Sequence, residues 1–331
     1  MVIMEKAIVG ITLGDASGIG PEIVAKLCVK GYFTQYFRPI MIGDVRVFED
    51  GLRIIGAEYP HYVIKDVDEA DWSKGQPVLD LGDQDPALVT MGKTSAYCGI
   101  GDVDQIVKAC ELCKEGKIVG FLYAPLHKGN MKDSGMKFES EGELMAHCFD
   151  VKGLYGEINV LENIQTVRVT SHIPLKNVSA NLSKERILEC IRLAYDTCKG
   201  SGIAEPRVAV SGLNPHNGEN GKCGTEEIDV IIPAVEAARA EGMNVEGPFS
   251  ADVVFMRAFR GDFDTVVTMY HDQGQIALKL RGFEGVTVGG GQPYPIVTPA
   301  HGTAYGKAGK GTAATKAIEN ATDLLYKMVS H

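Results

Sequence analysis

Short β-branched apolar runs that end in Gly, Pro, Ser or His alternate along this chain with longer segments whose apolar residues recur at helical spacing. The runs at 6–13, 39–43, 77–82, 118–125, 166–171, 207–212 and 265–270 predict strands, because short apolar stretches bounded by turn residues suit buried β-structure. Helical periodicity predicts helices from about Glu22 onward and over 99–115, 183–199, 225–241 and 313–330. Ser183 suits an N-cap and Gly200 a C′ position. Glu226 and Glu227 would face the positive end of their helix, which Pro233 interrupts. Such alternation implies an α/β fold of mostly parallel sheets with helices on both faces. At 331 residues, two domains are expected. The irregular stretch 126–140 suits a domain crossing or a mobile active-site loop.

A net charge of −10 argues against nucleic acid and anionic membranes, both of which need clustered Lys and Arg. It leaves an anionic substrate open, since a metal or a local cluster can supply positive charge. No signal peptide is visible, and no apolar stretch reaches the ~20 residues of a membrane span, so a cytoplasmic protein is expected. Of the eight cysteines, Cys110 and Cys113 form a C-x-x-C. Val103, Ile106 and Val107 share their helical spacing and no second C-x-x-C exists, so both thiols read as core. Free thiols in a reducing compartment follow.

Candidate chemistry begins with three histidines. His172, His216 and His271 each follow a predicted strand, and ligands of open α/β sheets bind beyond the carboxyl ends of strands. Converged, three neutral imidazoles would hold a divalent ion such as Zn, Co, Ni, Mn or Fe(II) and leave positions open for a substrate. Loop capping is the competing reading for each. Asp272 and Asp252 could orient a His or take a proton, though Asp252 also suits an N-cap. His61, His147 and His331 show no partner pattern. Two glycine-rich segments stand at 14–22 and 301–311. The first lacks the G-x-G-x-x-G spacing, and a structural turn explains either one as well as a nucleotide does.

Gly14-Asp15-Ala16-Ser17-Gly18-Ile19-Gly20-Pro21-Glu22, with His301-Gly302-Thr303-Ala304 and Ala308-Gly309-Lys310-Gly311, resembles the isocitrate and isopropylmalate dehydrogenase superfamily. Within it the chain resembles the 4-hydroxythreonine-4-phosphate dehydrogenase (PdxA) family, through Pro125-Leu126-His127-Lys128, Ser171-His172-Ile173-Pro174-Leu175, Asn214-Pro215-His216-Asn217-Gly218 and Tyr270-His271-Asp272-Gln273-Gly274. The resemblance runs almost end to end. It implies a nucleotide-side domain of 1–128 plus 302–331, and a metal, substrate and dimerisation domain of 129–301, with the active site in the cleft between them. It implies a homodimer whose subunits share metal ligands, with His172, His216 and His271 on one divalent ion (Zn, Co, Mn, Ni or Mg). It further implies NAD(P)-linked oxidation of a hydroxy acid followed by decarboxylation. Catalytic roles would fall to Asp252, Asp272 and Lys128. His301, Gly302, Thr303, Ala304, Gly309 and Gly311 would bind NAD or NADP.

The chain departs from the family in its substrate residues. Lys279 is kept, but Glu141 and Gly142 stand where the family has His and Thr, Thr287 where it has Asn, and Ile296 where it has Arg. Exchanging Arg for Ile removes a bidentate partner for phosphate or carboxylate, and Glu141 would repel an anion. A catabolic sugar acid or related hydroxy acid is therefore the expected substrate. The alternative is 4-hydroxythreonine-4-phosphate dehydrogenase of pyridoxal phosphate synthesis, with Lys128, Lys279 or Arg281 holding the phosphate. A non-catalytic metabolite-binding protein on the same fold is a third class, which would not need an open metal site.

Overall fold

The computed structural model describes residues 6–330; His331 and the first five residues lie outside them. The described residues divide into two compact units, 6–151 with 292–330, and 152–291.

The first unit is built on β1 (Ile8–Thr12), β2 (Arg38–Gly43), β3 (His61–Ile64), β4 (Gln76–Asp80), β5 (Phe121–Tyr123) and β12 (Ile296–Pro299). They run in the order β3-β4-β2-β1-β5-β12, and every pairing is parallel. The helices are α1 (Gly20–Val29), α2 (Tyr32–Tyr36), α3 (Val45–Ile55), α4 (Ala96–Lys114), α5 (Lys128–Asp133), α6 (Glu141–Cys148) and α11 (Lys316–Val329). Cys110 and Cys113 lie on the buried face of α4, packed among Ile106, Leu112 and Phe121.

Residues 129–150, expected in the other domain, belong to this unit. Met131 of α5 and Leu144 and Met145 of α6 bury their side chains in the cluster built around Ile106, Cys110 and Cys113. Gly99 permits the approach of α5, since a methyl group there would lie 1.9 Å from the Asn130 carbonyl oxygen. The stretch 126–140 is accordingly not a crossing; α5 forms part of it and the remainder is irregular. The first crossing falls after Val151 and not after Lys128, and the second falls after Gly291 because β12 pairs with β5.

The second unit contains β6 (Gly156–Leu161), β7 (Ile164–Arg168), β8 (Val208–Ser211), β9 (Val245–Phe249), β10 (Thr265–Thr268) and β11 (Val286–Gly290). Their order is β11-β6-β7-β10-β8-β9. β6 pairs antiparallel with both β11 and β7, while β7, β10, β8 and β9 pair in parallel. The antiparallel part is the minority that a mostly parallel pattern leaves room for. It arises because β6 and β7 form a hairpin through Glu162, held at φ 54°, and Asn163.

Here the helices are α7 (Lys184–Gly200), α8 (Ile232–Ala240), α9 (Ala251–Ala258) and α10 (His271–Arg281). Ser183 caps α7 by accepting from Arg186 N at 3.1 Å. Gly200 is the last helical residue, and Ser201 forms the cap. The segment 225–241 is divided where Pro233 removes an N–H. A wide π-turn, Glu227–Ile231, precedes α8, whose first turn holds the proline.

Candidate functional site

In the second unit the pairing of β7 with β10 continues past the strands, with Val169 N bonding Thr268 O at 2.8 Å and Thr170 N bonding Met269 O at 3.1 Å. These bonds carry both segments in step to His172 and His271, whose ring centroids lie 5.6 Å apart. His271 opens α10, and its Nδ1 lies 2.7 Å from Asp272 Oδ1. A carboxylate on one ring nitrogen fixes the tautomer and leaves the other for a ligand.

His216 sits in an unusual backbone. Five consecutive residues, His216 to Asn220, have φ between 45° and 72°, a region that costs non-glycine residues energy unless the surroundings hold it. Glu227 supplies that hold. It is 1% exposed and accepts from Leu213 N at 2.8 Å, Asn214 N at 2.7 Å and Asn214 Nδ2 at 2.9 Å. Gly218 (φ 72°) lets the turn close over the carboxylate, because a Cβ would stand 2.8 Å from Glu227 Oε2. His216 thereby lines a cavity of about 390 Å³ with Asn214, Asp252, Tyr270 and Gln273.

Asp252 lies in the first turn of α9, after the cap residue Ser250, so it is not an N-cap, and it lines the same cavity. The donor chemistry of these imidazoles fits a divalent cation, and His172 and His271 are neighbours. Among the described residues of one chain, however, no three His, Cys, Asp or Glu side chains come together to hold an ion.

The expected substrate residues separate. Lys279 is exposed on α10, two turns beyond His271. Thr287 stands on β11 and accepts from Asn159 Nδ2 at 3.2 Å. Ile296 requires a correction. It has no exposed surface and packs in the apolar core of the first unit with Phe121, so it cannot touch a substrate.

In the first unit, Lys128 opens α5 and Glu141 opens α6, with Nζ and Oε2 3.4 Å apart. Ser140 caps α6 by accepting from Glu143 N, and Gly142 O accepts from Gln292 Nε2 at 3.3 Å. Glu141 is 8% exposed. Close by, Asp102 Oδ2 accepts from His127 N at 3.1 Å. Burial, and then the nearby Asp15 carboxylate, push Asp102 well above the usual carboxylate range.

The two glycine-rich segments meet within this unit: Ile19 N bonds Thr303 O at 3.0 Å. Tyr305 stacks on His127 with centroids 5.1 Å apart, and its hydroxyl accepts from Asn130 Nδ2 at 2.9 Å and donates to Asp15 Oδ2 at 3.3 Å. Gly311 N and Ala313 N donate to the fully buried Glu22 at 3.3 and 2.9 Å. Gly309 abuts Met91. Gly309 and Gly311 thus take part in the fold of the loop itself. Thr303 is buried, with Ala304 at φ 45° beside it, while the side chain of His301 turns to Gly302 O at 3.0 Å. Sequence reasoning gave no role to Asn130 or Asp102 and did not foresee the loops that Glu22 and Glu227 hold, whose N–H groups lie far off in the chain.

Among the described residues, no helix is long and apolar enough to cross a membrane. The model of the family described as pyridoxal phosphate biosynthetic protein PdxA matches residues 35–325. A D-threonate 4-phosphate dehydrogenase of Cupriavidus necator is 39% identical over 314 residues, covering 94% of each chain. A 4-hydroxythreonine-4-phosphate dehydrogenase of Beijerinckia indica is 38% identical over 331 residues, 99% of this chain and 96% of the relative. Among solved structures, a 4-hydroxythreonine-4-phosphate dehydrogenase from Klebsiella pneumoniae superposes with a TM-score of 0.87 at 32% identity, covering all of both chains.

Proposed function

This chain belongs to the PdxA family, and from that membership we propose that it is a dehydrogenase that oxidises a hydroxyl of a phosphorylated hydroxy acid with NAD or NADP. The relatives favour 4-hydroxythreonine 4-phosphate over the catabolic sugar acid that the departures in sequence suggested. The carrying observation is the approach of His172 to His271, 5.6 Å between rings, in a chain that such dehydrogenases match almost end to end.

His172, His216 and His271, pooled from two copies, would hold a divalent ion, which when bound polarises the hydroxyl oxygen that loses its proton. Asp272 fixes the His271 ring. Asp252, which lines the cavity with His216, would take the hydroxyl proton. Lys128 is held by Glu141 and is a weaker candidate for that step. His301, Gly302, Thr303 and Ala304 are the proposed cofactor contacts. Loss of carbon dioxide from the resulting keto acid completes the proposed reaction. A homodimer is supported by exposed apolar side chains on the second unit, where Leu280 and Phe283 are 83% and 78% exposed.

D-threonate 4-phosphate is the second substrate reading. It is favoured by the Cupriavidus relative.

The test is coenzyme reduction with both phosphorylated acids, before and after chelation. We expect turnover with one of them, its loss on chelation, and its return with added divalent cation. His172→Ala and His271→Ala should each lower kcat by about a thousandfold. Absence of turnover on either acid would sink the substrate reading, and turnover indifferent to the chelator would sink the metal.

A further inference from the structure

We infer that Arg168, framed by Asn159, Gln275 and Thr287, forms a subsite for the phosphate or another oxyanion group of the molecule handled beside His172 and His271. This rests on the dehydrogenase reading above.

Arg168 ends β7, four residues before His172 on the same run of chain. Its Nη1 donates to Asn159 Oδ1 at 2.6 Å. Asn159 stands opposite Thr287 in the register of β6 with β11 and donates to its hydroxyl at 3.2 Å. Gln275 Nε2 donates to the same Asn159 oxygen at 2.5 Å. Gln275 lies one turn after His271 on α10, so this polar group sits beneath the start of the helix that carries an imidazole of the site.

The frame holds the cation without neutralising it. The Arg168 side chain is 7% exposed, and burying a charge is unfavourable unless it is closely paired. Its carboxylate neighbour, Glu157 Oε2, lies 3.7 Å away on a side chain one-third exposed, beyond hydrogen-bond reach. The Glu157 carbonyl is a long 3.4 Å from Nη2. Burial lowers the pKa of Arg168, with Glu157 acting the other way. A guanidinium has five N–H donors in a planar fork, and the frame engages only part of it. A desolvated, under-paired fork is what bidentate recognition of phosphate or carboxylate requires.

Another cation of this unit is better matched: Arg281 binds both Glu162 oxygens at 3.0 Å.

The experiment compares the full-length wild type with Arg168→Gln, which keeps a donor for Asn159 and removes the charge. We expect KM for the phosphorylated acid to rise about 30- to 100-fold and competitive inhibition by inorganic phosphate to weaken by a similar factor. KM for the coenzyme should stay unchanged. Unchanged substrate KM and phosphate inhibition in a folded variant would overturn the subsite, as would an equal rise in the KM of the coenzyme. Running the unphosphorylated acid alongside identifies the group: an effect confined to the phosphorylated acid assigns phosphate, and an effect on both assigns carboxylate. If Arg168→Gln does not fold, Arg168→Lys keeps the charge without the fork and should raise KM about fivefold; no rise overturns the subsite. If the wild type turns nothing over, the dehydrogenase reading fails first. Thermal stabilisation by inorganic phosphate, present in wild type and lost in Arg168→Gln, then decides the subsite alone.

Discussion

Each unit buries a glutamate against a glycine-rich loop, and the two glutamates do different things with it. In the first unit Glu22 accepts from Gly311 N and Ala313 N, and Lys26 Nζ lies 3.9 Å away as a counter-charge. The loop it closes is largely bonded to its own unit, through Thr303 O and the Tyr305 hydroxyl. In the second unit Glu227 accepts from Leu213 N, Asn214 N and Asn214 Nδ2. The segment it holds leaves His216 at a cavity. A run of glycines therefore does not mark a ligand loop by itself. The destination of its N–H groups decides, and in the first unit much of that capacity goes to a side chain of the protein.

Removing each carboxylate tests the contrast. Glu22→Ala would strand the buried Ala313 N–H and the partly buried Gly311 N–H and leave a void beneath the C-terminal loop. A loss of about 3–4 kcal/mol in chemical denaturation is expected, with the thermal midpoint falling accordingly. A loss below about 1 kcal/mol would show that the loop does not depend on Glu22. Glu227→Gln is the milder change, since an amide retains one acceptor oxygen. About 1–2 kcal/mol of stability should go. Its sharper signature is a fall in kcat larger than any change in coenzyme KM, because the displaced group is His216. Equal falls in both variants for both readouts would erase the difference between the units.

The parallel core was legible because its signal is local. Buried strands such as β1, β2 and β8 are continuous apolar runs, and Ser183 announces α7 by its own capping chemistry. β6, β9 and β11 escaped because their polar positions and glycines break the run: Glu157 and Asn159 in β6, Gly247 and Pro248 in β9, Thr287 and Gly289 in β11. The domain boundaries escaped for a different reason. Met131, Leu144 and Met145 choose their unit by packing on Cys110 and Cys113, which no local pattern encodes. The site was partly legible. Histidines after strands were visible in the chain, whereas Glu227 and Arg168 acquire their meaning only from the loops and strands that fold onto them.

The smallest effect expected concerns charge in the first unit. Asp83 is pushed up to about 6, by burial first and then by the neighbouring Asp104 carboxylate. A carboxyl raised in the folded state favours folding in its protonated form. Its stabilisation is full below the unfolded value of 3.8 and disappears as pH rises through about 6. At pH near 7.5 the ionised group is a liability, moderated because solvent reaches it. Asp83→Asn should therefore raise the thermal midpoint by roughly 1–2 °C at about pH 7.5 and give little gain at about pH 4.5. The second unit contains the opposite case, a cation lowered by burial in Arg168, which stays charged throughout this range. The pH dependence should then belong to the first unit. A gain from Asp83→Asn that is the same at both pH values would mean that Asp83 does not titrate as its surroundings require.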